Sequence, residues 1–205
     1  MIKKNVAILV IAFASLLPGY SPSEAQASEK VQAPYYIRVW RGFRRPDLTQ
    51  EALREGVEKN LIPATKALFD QHRGVGRAYL PVIPPFGLQG NVPDELAIII
   101  YKSEEKYRRV RATPEGTAYG DLHWTLFERP GARTKSGGAV PFQGQVVLDT
   151  SYDVMGRRVN WQRGHSTFFL GALKPGVTPD KMAEHVIQVR DAFRGKGLRG
   201  YIAVF

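Results

Sequence analysis

The chain has 205 residues, 29 Lys+Arg against 19 Asp+Glu for a formal net charge of +10, and no cysteine. That length holds one compact domain or two small halves in tandem. Without cysteine there are no disulfides, no thiolate metal sites and no cysteine for a lipid anchor, while the positive balance favours anionic partners.

Lys3 and Lys4 begin the chain with positive charge. Val6 to Leu17 is an almost unbroken apolar run, ended by Pro18, Gly19 and Pro22. Ala25-Gln26-Ala27 then supplies the small-x-small pattern of a signal-peptidase site. Residues 1–27 read as a cleaved secretory signal, leaving 28–205 as an exported protein, periplasmic or secreted and soluble. No later stretch is long and apolar enough to span a membrane.

Tyr35 to Phe43 alternates as a strand, with Tyr36, Arg38 and Trp40 on one face and Tyr35, Ile37 and Val39 on the other. Thr49 caps a helix carrying Leu53, Val57, Leu61, Ala64 and Leu68, and Pro63 predicts a kink or restart. Tyr79 to Ile83 is a strand that Pro81 places at an edge. Leu96 to Tyr101 is an apolar strand, and Ser103 caps the next helix with Glu104 and Glu105 in its first turn. Thr113-Pro114-Glu115-Gly116 interrupts that helix, and a second short one presents Tyr119, Leu122, His123 and Phe127 along one side. Glu128 to Gly144 reads as a flexible loop, rich in Gly, Pro and basic residues. Strands are expected at Gln145 to Tyr152, Arg158 to Gln162, Thr167 to Leu173 and Gly200 to Phe205. A helix starts at Thr178-Pro179.

Arg45-Pro46-Asp47-Leu48-Thr49 leads from strand to helix much as Lys174-Pro175-Gly176-Val177-Thr178 does. Both helices return to a tyrosine-bearing strand, so a β-α-β unit occurs twice. Repeated β-α-β units form the plan of the ferredoxin-like fold. The run from Leu96 to Phe127, with Ile100-Tyr101, Ser103-Glu104-Glu105-x-Tyr107 and Thr113-Pro114-Glu115-Gly116, resembles the second half of a dimeric α/β-barrel protein. The resemblance covers most of 34–205. It implies an α+β fold: ferredoxin-like repeats forming a tandem, pseudo-dimeric α/β barrel, with an antiparallel sheet and helices on one face. The halves would be 34–127 and 145–205, joined by the loop 128–144. The other arrangement left open is a single ferredoxin-like core with 84–165 inserted. The superfamily contains small monooxygenases and haem proteins, and the resemblance allows a homo-oligomer.

If Tyr35, Ile37 and Val39 pack under the helices, Tyr36, Arg38 and Trp40 line the opposite face. An arginine between two aromatics suits a ligand with a carboxylate and a ring body. Lys102 and His165, the latter after the basic residues Arg157, Arg158 and Arg163, are further candidates for binding an anion. His123 with Tyr119 is the candidate proton-transfer pair; a buried core histidine is the other reading. The histidine spacings match no metal motif, so no metal is expected. Gly195-Lys196-Gly197-Leu198-Arg199-Gly200 spells a dinucleotide motif, but it follows a helix and precedes a strand, the reverse of that motif's setting. Arg108, Arg109 and Arg111 read as a solvated helix face.

Three functions stay open: an exported enzyme on a small or oligomeric anionic substrate, without cofactor; a haem-binding protein using His123 or His165; and a non-catalytic envelope module for anionic small molecules or glycans. The exported address sets nucleic acid aside.

Overall fold

The computed structural model describes residues 11–15, 35–85, 92–129, 131, 133–156, 159–161, 165–170, 174, 176–194 and 196–205. The chain divides into two compact units: Tyr35–Gly138, and Met1–Pro34 with Ala139–Phe205. A first strand, β1 (Ile11–Ser15), belongs to the second of these.

The unit Tyr35–Gly138 runs β2 (Tyr36–Gly42), α1 (Gln50–Gly56), a π-helical turn (Val57–Leu61), α2 (Ile62–Gln71), β3 (Gly76–Val82), β4 (Glu95–Tyr101), α3 (Glu104–Arg111), α4 (Pro114–Leu126) and β5 (Lys135–Gly138). Its sheet has the order β3-β4-β2-β5, and every pairing is antiparallel. With helices after its first and third strands, this is a complete βαββαβ ferredoxin-like module. β4, α3 and α4 are therefore integral to it, which removes the inserted-core arrangement.

The helix starts follow from their caps. Thr49, Ser103 and Thr113 each accept a backbone N–H three residues on, at 3.1–3.2 Å. Pro114 sits in the first turn of α4, where no intrahelical N–H is lost, whereas Pro63 follows directly on the π-helical turn within one continuous helical run. Leu53, Val57, Leu61, Leu68, Val110 and Leu126 pack against Trp40, Ala97, Ile99 and Tyr101 on one face of the sheet. Ile37, Val39, Ile98 and Ile100 point to the other face and are buried too.

Two expectations change here. Tyr36, Arg38 and Trp40 lie under the helices rather than opposite them, because alternation separates two faces without saying which one the helices cover. The segment expected as a loop over 128–144 contains β5, which pairs with Arg38 to Arg41 of β2. Its start is tied down as well: Glu128 N–H donates to Phe43 O, Phe43 N–H donates to the buried Thr134 hydroxyl, and Arg133 lies over the Phe43 ring.

The other unit contains β1, β6 (Val140–Pro141), β7 (Ser151–Asp153), β8 (His165–Phe169), α5 (Pro179–Phe193) and β9 (Leu198–Val204), in the sheet order β6-β7-β9-β1-β8. α5 starts at the Thr178 cap, and Met182, Ala183 and Val186 pack on Tyr201 and Ala203. β8-α5-β9 is a β-α-β unit with β1 antiparallel between its strands. β2-α-β3 likewise has β4 between its strands, so the repeat seen in the sequence is real. The strand expected over 145–152 is confined to 151–153, and 159–161 is not a strand. β1 falls inside the apolar run read as a signal; the rest of 1–27 lies outside the described residues. Among the described residues no helix is long and apolar enough to cross a membrane.

Candidate functional site

The covered face of the ferredoxin-like sheet does not pack flush against the helices. Alternate residues point the same way along a strand. Arg38 and Trp40 of β2, Ala97, Ile99 and Tyr101 of β4, Tyr79 of β3 and Ser136 of β5 form the floor of a cavity of about 130 Å³. Tyr107 and Arg111 of α3, with Tyr119, Gly120, His123 and Trp124 of α4, form its roof.

The helices meet closely because two positions on α4 lack side chains. A Cβ on Gly116 would lie 2.0 Å from the Val110 carbonyl oxygen. One on Gly120 would lie 2.4 Å from Arg111 Nη1. Arg111 therefore crosses to α4, where Nη1 donates to Gly116 O at 2.5 Å. Arg38 donates to the Ser136 hydroxyl and holds its guanidinium 4.4 Å from the Tyr107 ring centre. Neither arginine has a carboxylate partner among the described residues. Arg108 and Arg109, by contrast, pair with Glu104 and Glu105 on the exposed side of α3.

His123 packs edge-on against Trp40, with ring centres 5.1 Å apart, and against Tyr119 at 4.7 Å. Its Nδ1 lies 2.8 Å from Tyr119 O. A carbonyl only accepts, so Nδ1 carries the hydrogen and Nε2 keeps its lone pair. Burial pulls the imidazole below its ordinary pKa; the Tyr119 carbonyl opposes that shift and the charge of Arg111 adds to it. The ring is therefore neutral at neutral pH.

The Tyr119 hydroxyl is committed elsewhere. Thr65 donates to Leu61 O at 2.7 Å, which leaves its oxygen to accept from Tyr119 at 2.7 Å. Burial pushes this phenol up to about 12. Tyr119 thus serves the site through its carbonyl and its ring face.

At one end of the floor, Tyr79 donates to Glu95 Oε1 at 2.7 Å. Glu95 is fully buried, and burial pushes its carboxyl up to about 7 against the opposing pull of Tyr79 and Trp40. Glu95 Oε2 and Trp40 Nε1 are both buried without a hydrogen-bond partner. The indole N–H thus polarises the carboxyl without completing a bond to it.

Of the residues singled out in the sequence, Arg38, Trp40, Tyr119 and His123 converge on this cavity. Tyr36 stands beside it, its ring 5.4 Å from that of Tyr107. Lys102 is not part of the lining; its ammonium lies by Gly74, where a Cβ would meet Nζ at 2.8 Å. His165 opens β8 in the other unit. Tyr79, Tyr101, Trp124 and Glu95 were not singled out as site residues in the sequence, and Arg111, read there as part of a solvated helix face, lines the cavity while staying exposed. No group of three or more metal-ligating side chains occurs among the described residues. The space of about 130 Å³ is below the ~300–1,000 Å³ of typical ligand pockets.

By strand order and helix placement, Tyr35–Gly138 belongs to the ferredoxin-like class of α+β modules. No family model and no curated protein matches the chain. Among solved structures it is similar to SnoaB from Streptomyces nogalater, a cofactor-independent oxygenase, at 15% identity and a TM-score of 0.40, covering 54% of this chain and 96% of that one. It is also similar to a putative antibiotic biosynthesis monooxygenase from Bacteroides thetaiotaomicron, at 18% identity and a TM-score of 0.37, covering 53% and 90%. Rv0793 from Mycobacterium tuberculosis follows at 19% and 0.35, covering 54% and 97%. These neighbours are ferredoxin-like proteins of the dimeric α/β-barrel kind, the class to which the sequence showed a resemblance.

Proposed function

We propose that the cavity of Tyr35–Gly138 is the active site of a small-molecule enzyme whose substrate is a single-ring aromatic anion or ionisable phenol. One observation carries this reading: two guanidiniums without carboxylate partners among the described residues share an aromatic-walled cavity with a neutral imidazole. Arg38 supplies a planar fork for an oxyanion. Trp40 and Tyr107 flank the ring, and the volume limits the ligand to about that size.

His123 is the base. Its Nε2 lone pair takes the substrate proton, and the Nδ1–H···O bond to Tyr119 steadies the imidazolium that forms. Arg111 disfavours that charge, so the proton is readily passed on. The negative charge left on the substrate oxygen is met by Arg38. No cofactor enters this step.

The test uses para-nitrophenol, whose phenolate is yellow. Saturating amounts of the protein at pH 6 should raise the phenolate band. His123→Ala should bind the phenol without raising it, and Arg38→Gln should weaken binding. Binding to wild type with no gain in phenolate would overturn the role of His123. Absence of binding would overturn the site.

We propose also that the chain is exported and cut after Ala27. Lys3-Lys4, the apolar run and Ala25-Gln26-Ala27 support this. Cleavage would remove β1 from between β8 and β9. The amino terminus of the exported protein decides the matter: Ser28 is expected, and retention of residues 11–15 sinks the proposal.

A further inference from the structure

We propose that Glu95 sets whether the Tyr79 hydroxyl meets a ligand as donor or acceptor, and so couples anion binding in the cavity to uptake of one proton. This rests on the cavity being the ligand site. Glu95 does not line the cavity, but Tyr79 and Trp40, the two residues acting on its carboxyl, both do. Trp40 N–H can only donate. Tyr79 is the contact that can reverse.

With Glu95 ionised, Tyr79 O–H donates to Oε1 and turns a lone pair to any ligand. With Glu95 protonated, the carboxyl O–H donates to the phenol oxygen, and the Tyr79 hydrogen is released to a ligand acceptor. No covalent bond changes except the O–H formed on Glu95 by a proton from solvent. Burial that places this carboxyl near 7 makes both states accessible at neutral pH.

The surrounding charges do not disturb this account. Tyr101 on β4 and Tyr119 on α4 act on Tyr79 besides Glu95, and both phenols stay protonated across the neutral range because burial raises them. His123 titrates below its ordinary 6.5. Arg38 and Arg111 act on Tyr101 rather than on Glu95. Asp94, next in sequence, is held by Arg44, whose backbone N–H donates to it at 2.8 Å.

The probe is benzoate, whose charge is constant from pH 6.5 to 8.5, with binding read by tryptophan fluorescence. Wild-type affinity should fall as pH rises, approaching about tenfold per unit above the Glu95 midpoint. Glu95→Gln, which donates to Tyr79 at every pH, should bind with a flat profile. A wild-type slope retained in Glu95→Gln, or a flat wild-type profile, overturns the proposal. If benzoate does not bind at all, the ligand-site reading fails instead. The Glu95–Tyr79 relation is then judged on the free wild-type protein by the ¹³Cζ resonance of Tyr79. That resonance should titrate together with the Glu95 carboxyl near neutrality, and a shift indifferent to pH overturns it.

Discussion

The Nδ1 of His123 lies 2.8 Å from the carbonyl oxygen of Tyr119, one turn earlier on α4. This bond fixes the tautomer. Nitrogen NMR of the imidazole should show the hydrogen on Nδ1 and a midpoint below 6.5. An unfolded chain protonates this histidine near 6.5 while the folded one resists, so its contribution to stability is lost as pH falls below that value. A midpoint at or above 6.5, or an Nε2–H tautomer, would contradict the geometry.

Arg38 and Arg108 make a matched pair of substitutions. Arg38→Gln should weaken benzoate binding by about 10- to 100-fold, the weight of a charge-assisted hydrogen bond of roughly 1.5–3 kcal/mol. Arg108→Gln removes only an exposed pairing with Glu104 and should leave affinity within about twofold. Equal losses in the two variants would mean that the general positive field, not the cavity, attracts the anion.

Glu95 is buried with no cation paired to it among the described residues, which costs stability once it ionises. Its carboxyl moves from an ordinary 4.5 to about 7, so the folded state binds more protons in between. Stability should fall as pH rises through that window, by about 3 kcal/mol when complete. Urea unfolding of wild type and Glu95→Gln should diverge by that amount between pH 4.5 and 8, the variant being favoured at the upper end. A constant difference between them would rule this out.

Thr65 and Tyr119 should be coupled. Thr65→Val leaves the buried Tyr119 hydroxyl without its acceptor, at a cost of about 1–3 kcal/mol. Adding Tyr119→Phe should recover part of that loss. Strict additivity in the double-mutant cycle would show that the bond contributes nothing.

What the sequence disclosed follows the range of each signal. Thr49, Ser103, Thr113 and Thr178 act within three residues, so the helix starts were readable. Pro81 correctly placed β3 at an edge. Tyr119 and His123 were joined by helical spacing, and Arg38 and Trp40 by strand alternation; what brought the two pairs together was packing of α4 on β2, which no local pattern encodes. Packing likewise decided which face of β2 the helices cover. β5, Lys135-Ser136-Gly137-Gly138, has no strand-like composition and is a strand only because β2 offers it an edge. Glu95 stands just before the strand read from Leu96 to Tyr101 and drew no notice, since its partner Tyr79 belongs to another strand. Arg111 is as exposed as Arg108 and Arg109, and what sets it apart is Gly120, whose missing side chain lets its guanidinium lie along α4.

The π-helical turn at Val57–Leu61 gives the middle of the first helical stretch one residue more per hydrogen-bonded loop than an α-helix has. In an α-helix each residue advances about 100°. Thr65, four residues beyond that turn, reaches Tyr119 because of the surplus residue. Deleting one residue from 57–61 would restore a regular helix, swing Thr65 and Leu68 about a quarter-turn away from α4 and the sheet, and strand the Tyr119 hydroxyl. The roof of the cavity thus depends on a miscount in a helix that does not touch the cavity, and chain length there is as constrained as any residue in the lining.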